Sequence, residues 1–138
     1  MSIFDKFRKS QKSMLVGKDI EKAKLHGRKI VDAIATKNYG EIENLVDDMV
    51  NWNALLLEEF IEGTLETNNL PNIDKSDIAP NEEQERIYEY TNGFGFGYEY
   101  SFSVGGGEPF PELVLSLEFI YTKGGDWKVV FESGISAG

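Results

Sequence analysis

The run FGFGYEYSFSV at residues 94–104 constrains the fold of this 138-residue chain more than any other stretch. Large apolar or aromatic side chains occupy its even-numbered positions, whereas glycine, serine or glutamate occupies its odd-numbered positions. Because successive side chains of a β-strand point to opposite faces, this alternation predicts a strand with one aromatic face and one nearly bare face. The aromatic positions are Phe94, Phe96, Tyr98, Tyr100 and Phe102.

The glycines of this run do not have the setting of a phosphate-binding loop. A dinucleotide-binding loop follows a strand and opens a helix, and a P-loop ends in Gly-Lys-Ser or Gly-Lys-Thr. Here the alternation continues through the glycines, and the later triple glycine is followed by the anionic Glu108 and by Pro109. The pattern therefore favours a sheet over a nucleotide site.

Three helical patterns precede this strand. From residue 18 to about residue 37, apolar side chains recur at the i, i+3, i+4 and i+7 spacing of an amphipathic helix. The tripeptide Asn38-Tyr39-Gly40 ends that pattern, and a second helix is predicted after it. A third helix is predicted from Ala54 to about Thr67, with Asn53 as its N-cap.

After the turn-rich residues 68–81, the period of the pattern changes from 3.6 to 2. Long strands are predicted at residues 85–91, 94–104, 112–122 and 127–132, a very short strand at Val50 and Trp52, and a loose tail from residue 133. Strands joined by tight turns pair antiparallel, and helices grouped at one end of a chain pack on one face of such a sheet. The predicted fold class is α+β, with three N-terminal helices packed on a curved antiparallel sheet of four long strands plus one short strand.

The length and composition place these elements in one domain. We expect a flexible basic N-terminal segment at residues 1–16 and a single α+β domain at residues 17–134. The sequence has no cysteine, and no apolar run approaches the roughly 18 residues of a membrane span. We therefore expect a cytoplasmic protein without a membrane-spanning segment.

The formal net charge of −10 is distributed unevenly along the chain. Nine of the 14 Lys and Arg residues lie within residues 1–30, whereas 21 of the 24 Asp and Glu residues lie within residues 31–138. Such an acidic body repels phosphate backbones and attracts basic surfaces. The charge pattern therefore predicts no nucleic-acid partner and favours a basic protein partner, and an open sheet face would also allow a homodimer.

Few side chains of this sequence are suited to catalysis. With one histidine, no cysteine and no serine in the setting of a nucleophile elbow, the sequence predicts neither a Ser-His-Asp nor a Cys-His arrangement. His26 lies beside Arg28 and Lys29 at the edge of the first helical stripe, which is typical of a surface histidine. The helical glutamates lack the Glu-x-x-His partners of a bundle metal site. We therefore expect no enzymatic activity, no cofactor and no metal site.

Carboxylates are the candidate groups for binding a basic partner. Glu99 and Glu118 fall on the bare faces of their predicted strands. A covered face would raise their pKa values and give them acid–base chemistry, whereas a solvated face, which the polar pattern favours, would leave them as surface charges. The acidic candidates are Glu58, Glu59, Glu62, Glu66, Glu99 and Glu118.

The segment KIVDAIATKNYGEIENLVDDMVNW, residues 29–52, resembles the first helix, the turn, the second helix and the start of the first strand of NTF2-like proteins of the cystatin-like superfamily. The four strand patterns within residues 85–132 are similar to the sheet of that family in their order. The resemblance implies a cone-shaped α+β fold with a pocket between sheet and helices, where the enzymes of the family carry a His or Asp base.

Two functions follow as hypotheses. The first is a non-catalytic acidic protein that binds a basic protein partner; the resemblance implies a bacterial immunity protein that neutralises a toxin. The alternative is a pocket protein that binds a small apolar or aromatic ligand, with weak enzymatic activity as a further option. Its pocket candidates, which would otherwise simply fill the core, are Trp52, Phe94, Phe96, Tyr98, Tyr100, Phe102 and Trp127.

Overall fold

The structure is a computed structural model, and it describes residues 17–73, 83–91, 93–106 and 110–137. The predicted basic segment 1–16 and Asn92 of the predicted hairpin turn lie outside the described residues. Within these ranges the helices are α1 (Gly17–Ala35), α2 (Tyr39–Leu45) and α3 (Ala54–Thr67). The strands are β1 (Glu85–Glu89), β2 (Gly95–Ser103), β3 (Glu112–Tyr121) and β4 (Trp127–Ala137).

The start of α3 shows how local chemistry fixes a helix boundary. Asn53 is the predicted N-cap, and its Oδ1 accepts a hydrogen bond of 2.8 Å from the backbone N–H of Leu56. The carboxylate of Glu43 accepts a second bond of 3.0 Å from the backbone N–H of Ala54. Two of the N–H groups that a helix start leaves unpaired therefore have acceptors, and the anion is favoured by the helix dipole.

The four strands form one antiparallel sheet in the order β1-β2-β3-β4. Because each strand pairs with its neighbour in sequence, the sheet is a meander, as the tight turns predict. For the described residues, the α+β class, the three helices and the four-stranded antiparallel sheet are confirmed.

The helices and the sheet enclose an aromatic core. Phe96, Tyr98, Tyr100 and Phe102 are each at most 1% exposed, as the alternation within β2 predicts for one face of a strand. The Phe96 ring stacks on Phe119 with 4.8 Å between ring centroids. The helices contribute apolar side chains that include Ile30, Ile34, Leu57, Ile61 and Leu65.

Phe94 does not share that core. It precedes β2, which begins at Gly95, and 66% of its side chain is exposed. The alternation in the sequence begins one residue before the strand does, so the pattern alone wrongly assigns Phe94 to the buried face.

The short strand expected at Val50 and Trp52 is not formed. Residues 50–52 lie in a turn, and Val50 has a φ angle of 54°, which is outside the strand region. A single parallel bridge joins Asp48 to Val130 instead. The loop therefore contacts the edge of β4 without extending the sheet by a full strand.

The loose tail expected from residue 133 is wrong, because β4 continues to Ala137. Ser116 pairs with Gly134 and Glu118 pairs with Val130, so one residue of β3 faces three residues of β4. This bulge interrupts the period-2 pattern, which hides the second half of the strand from a sequence reading. Ile135 then returns to the core.

Candidate functional site

The structure places the predicted pocket residues in three different environments. Phe96, Tyr98, Tyr100 and Phe102 pack against one another and the helices, and Trp127 contacts the Phe96 ring edge-on at 5.0 Å. Trp52 is half-buried at the edge of this core, and Phe94 is exposed. The four β2 rings therefore belong to the buried core, which is the environment that the sequence left open as the alternative to a pocket wall.

A buried carboxylate joins the sheet to α1. Arg28 Nη2 donates to Glu85 Oε1 at 2.6 Å, and the Tyr98 hydroxyl donates to Glu85 Oε2 at 2.5 Å. The Glu85 side chain is only 2% exposed, whereas Arg28 is partly solvated. Burial and the hydrogen bond to Glu85 raise the pKa of Tyr98. Because its oxygens are occupied by donors, Glu85 serves to anchor β1 on α1 and is poorly placed to act as a base.

Gly27 allows this anchor to form. A side-chain Cβ at position 27 would clash with the Tyr98 ring, so only glycine lets α1 lie this close to the sheet at Tyr98. The sequence offered a weak sign of this contact, since Gly27 lies within the apolar stripe of α1 where a larger residue is expected.

The outer face of the sheet is covered in part by two tyrosines of the β1 edge. A Cβ at Gly97 would clash with the Tyr88 ring, and a Cβ at Gly95 would meet the Tyr90 ring at 3.2 Å. Tyr88 is the direct cross-strand partner of Gly97. Aromatic rings therefore pack over the glycine positions of β2. The alternation did not predict this packing, because it describes the residues of one strand and not the side chains of its neighbour.

Carboxylates surround these two rings. Burial and then the charge of Glu99 raise the pKa of Tyr88, and the Arg86 guanidinium lies 5.2 Å from the Tyr88 ring centroid. Burial and then the charge of Glu132 raise the pKa of Glu118, although a bond from the Ser133 hydroxyl at 3.4 Å opposes the rise. This tyrosine–carboxylate face consists of Tyr88, Tyr90, Glu99, Glu118 and Glu132.

The predicted acidic residues divide between this face and α3. Glu58, Glu59 and Glu66 are exposed on α3, while Glu99 and Glu118 are half-buried on the sheet. Glu62 differs from its neighbours because it accepts a bond of 2.9 Å from the Tyr39 hydroxyl and pairs with Lys37 at 3.4 Å. Glu132, which sequence reasoning missed, lies in the bulge of β4.

An apolar groove lies where the loop before α3 meets that helix. It has a volume of about 440 Å³ and is lined by Asn51, Trp52, Leu56, Glu59 and Phe60, which define the Trp52 groove. The Trp52 ring contacts Phe60 and Phe131 edge-on, with centroid distances of 6.2 and 5.7 Å. Gly134 has a φ of 63°, and a Cβ there would clash with Trp52, so the glycine leaves room for the ring.

His26 is half-buried, with Nδ1 3.1 Å from the carbonyl oxygen of Lys22. Across the described ranges, no three His, Cys, Asp or Glu side chains are grouped as a metal site would require. None of the helices described combines the length and the apolar character needed to cross a membrane.

Comparison with known proteins assigns no family to the chain. No protein-family model, no curated protein and no solved structure matches it. The likeness to NTF2-like proteins therefore remains a prediction from the sequence.

Proposed function

We propose that this protein is a non-catalytic binding protein that engages a basic protein partner through its acidic surface. The observation that carries the proposal is the tyrosine–carboxylate face, where burial and then the charge of Glu132 raise the pKa of the half-buried Glu118. Holding Glu118 as an anion there costs free energy, because the group is partly desolvated and lies near a second carboxylate. A cation supplied by a partner would relieve that cost.

An arginine or lysine side chain fits this face in two ways. Its charge would pair with Glu118 and Glu132, and its planar or alkyl part would lie against the rings of Tyr88 and Tyr90, which are tilted with 6.0 Å between centroids. The excess of acidic over basic side chains within residues 31–138 would also speed the encounter with a basic protein.

The NTF2-like fold and the role of an immunity protein belong to the same proposal. They are supported by the order of the elements, with three helices before a four-stranded meander, and by the acidic balance of residues 31–138. A basic toxin is the class of partner that such a surface would neutralise by covering it.

The proposal predicts a partner whose retention depends on the tyrosine–carboxylate face. The immobilised chain should capture one basic protein in stoichiometric amount from a lysate of the cells that make it, at low salt, and release it at high salt. The triple variant Glu99→Gln, Glu118→Gln, Glu132→Gln should retain about tenfold less of that protein, because three charges are lost without loss of shape.

Controls separate binding from folding in this experiment. Glu118→Gln removes a repelled charge, so the triple variant should unfold at no lower urea concentration than the wild-type chain. A matched variant that loses the same number of charges elsewhere, at Glu41, Glu83 and Glu112, should retain the partner. Absence of any stoichiometric basic partner, or equal retention by the triple variant, would contradict the proposal.

The Trp52 groove supports a second candidate function, the binding of a small apolar or aromatic ligand. Its volume of about 440 Å³ lies within the range of ligand pockets, and Trp52 is one of the predicted pocket residues. This function predicts a co-purifying small molecule in native mass spectrometry of freshly purified protein. Leu56→Ala should then release that mass, and a spectrum of the bare chain alone would count against this candidate.

A further inference from the structure

Several features around the Trp52 groove are locally unfavourable for the folded chain. Val50 adopts a φ of 54°, a left-handed conformation that β-branched residues rarely take, and 43% of its side chain is exposed. The Asp48 carboxylate holds this turn by accepting a bond of 2.8 Å from the Val50 N–H. A glycine or asparagine would suit this turn better.

The side of α3 that faces the groove also carries residues that are locally unfavourable for the folded chain. Leu56 lines the groove and is 42% exposed. Gly63 lies seven residues later on the same side of the helix, where an added Cβ would meet nothing within 4 Å. Glu66 stands in the last turn of α3, where the helix dipole disfavours an anion and no basic residue is present. Gly63 and Glu66 therefore weaken the helix. Together with Leu56 they leave this side of α3 open, apolar and acidic.

We propose that the Trp52 groove docks an amphipathic helical segment of the basic partner. Apolar side chains of that segment would lie against Trp52, Leu56 and Phe60, and its lysines or arginines would face Glu59 and Glu66. This is the helix-in-groove mode of recognition, in which apolar anchors give affinity and charges at the rim set orientation. The inference rests on the proposed function and names a second surface, besides the tyrosine–carboxylate face, that the partner contacts.

Charge complementarity selects this occupant. Residues 54–67 of α3 contain four glutamates and no lysine or arginine, so an acidic or neutral segment would gain no attraction there. Of the four, Glu62 is already paired with Lys37, which leaves Glu58, Glu59 and Glu66 exposed along the helix. Among the residues that the structure describes, the lining of the groove comes from α3 and the loop before it, and the Gly63 side of α3 offers space for the rest of a long segment.

Two pairs of adjacent residues provide matched controls. Leu55 and Leu56 are both exposed, at 61% and 42%, but only Leu56 lines the groove. Glu58 and Glu59 are both exposed, but only Glu59 lines it. Trp52 itself is a poor site for substitution, because its ring packs on Phe131 and over Gly134.

The test measures binding of a fluorescein-labelled synthetic peptide by anisotropy. The peptide spans about five helical turns, with leucines on one face and lysines on the other. Leu56→Ala should weaken binding about tenfold, the effect of truncating one apolar anchor. Glu59→Gln should weaken it about threefold, as expected for a rim charge. Leu55→Ala and Glu58→Gln should bind like the wild-type chain.

Val50→Gly tests the turn separately from the groove. It should raise the melting temperature by about 3 °C, because the strain in the turn is removed. It should bind the peptide like the wild-type chain, because Val50 does not line the groove. A loss of affinity in this variant would overturn the assigned lining of the groove.

The outcomes distinguish this inference from the proposed function. Equal peptide binding by all four Leu and Glu variants would overturn the groove as the docking site. A wild-type dimer in sedimentation that Leu56→Ala abolishes would also overturn it, because the groove would then bind a second copy of the chain. If the captured basic protein is lost by the tyrosine–carboxylate triple variant yet bound equally by Leu56→Ala and Leu55→Ala, the proposed function stands and the groove fails. If no basic partner is captured, the proposed function fails, while the peptide result still decides the groove.

Discussion

Gly27→Ala is expected to lower the free energy of unfolding by about 3 kcal/mol, the upper range for overpacking a well-filled core. The new methyl group would clash with the Tyr98 ring. That ring has no room to withdraw, because it is fully buried and its hydroxyl is held by Glu85. Either the ring leaves its hydrogen bond or α1 moves away from the sheet.

Urea unfolding followed by circular dichroism measures this effect, and Gly63→Ala is the control. Gly63 is also inside a helix but has open space around it, so alanine there should raise the free energy of unfolding by about 0.5–1 kcal/mol. Tyr98→Leu should make Gly27→Ala much less costly, because the clashing ring is gone. A neutral Gly27→Ala variant would mean that α1 does not lie against Tyr98 as described.

Stability is expected to fall steeply as the pH rises above about 10, the ordinary pKa of tyrosine. Burial raises the pKa of Tyr100 to about 12, and burial together with Glu85 raises that of Tyr98. Between the ordinary and the raised pKa values, the unfolded chain loses protons that the folded chain keeps, so unfolding is favoured. Each such tyrosine contributes up to about 1.4 kcal/mol per pH unit.

Urea unfolding at closely spaced pH values from 9 to about 12 measures this loss, and absorbance at 295 nm reports ionised tyrosine at the same time. Tyrosine ionisation should coincide with loss of the helical signal, because the buried phenols can ionise only after the core opens. Tyr100→Phe should reduce the slope of stability against pH. Ionisation that is complete while the helical signal is intact would show that Tyr98 and Tyr100 are open to solvent.

Periodicity within one element could be read from the sequence, and contacts between elements could not. The spacing within α3 and the N-cap Asn53 were predicted because both are local. The buried face of β2 was predicted for the same reason. The second half of β4 was missed because the bulge that interrupts its alternation exists only in the pairing with β3.

The candidate sites follow the same division. Glu99 and Glu118 could be found as charges on a polar strand face, but Tyr88 joins them only because β1 pairs in register with Gly97. Glu85 looked like an ordinary residue at a strand start, and its role appears only when α1 brings Arg28 to it. The Trp52 groove combines a loop and a helix, so no single sequence window contains its signal.

The loop before α3 has a consequence for how this sheet can grow. Asp47 accepts a bond of 2.7 Å from the Val129 N–H, and the Asp48 carbonyl accepts one of 2.8 Å from the Phe131 N–H. A neighbouring polypeptide that tried to lengthen the sheet at this margin would find these donors already engaged. The loop therefore blocks edge-to-edge pairing with another strand along the first half of β4.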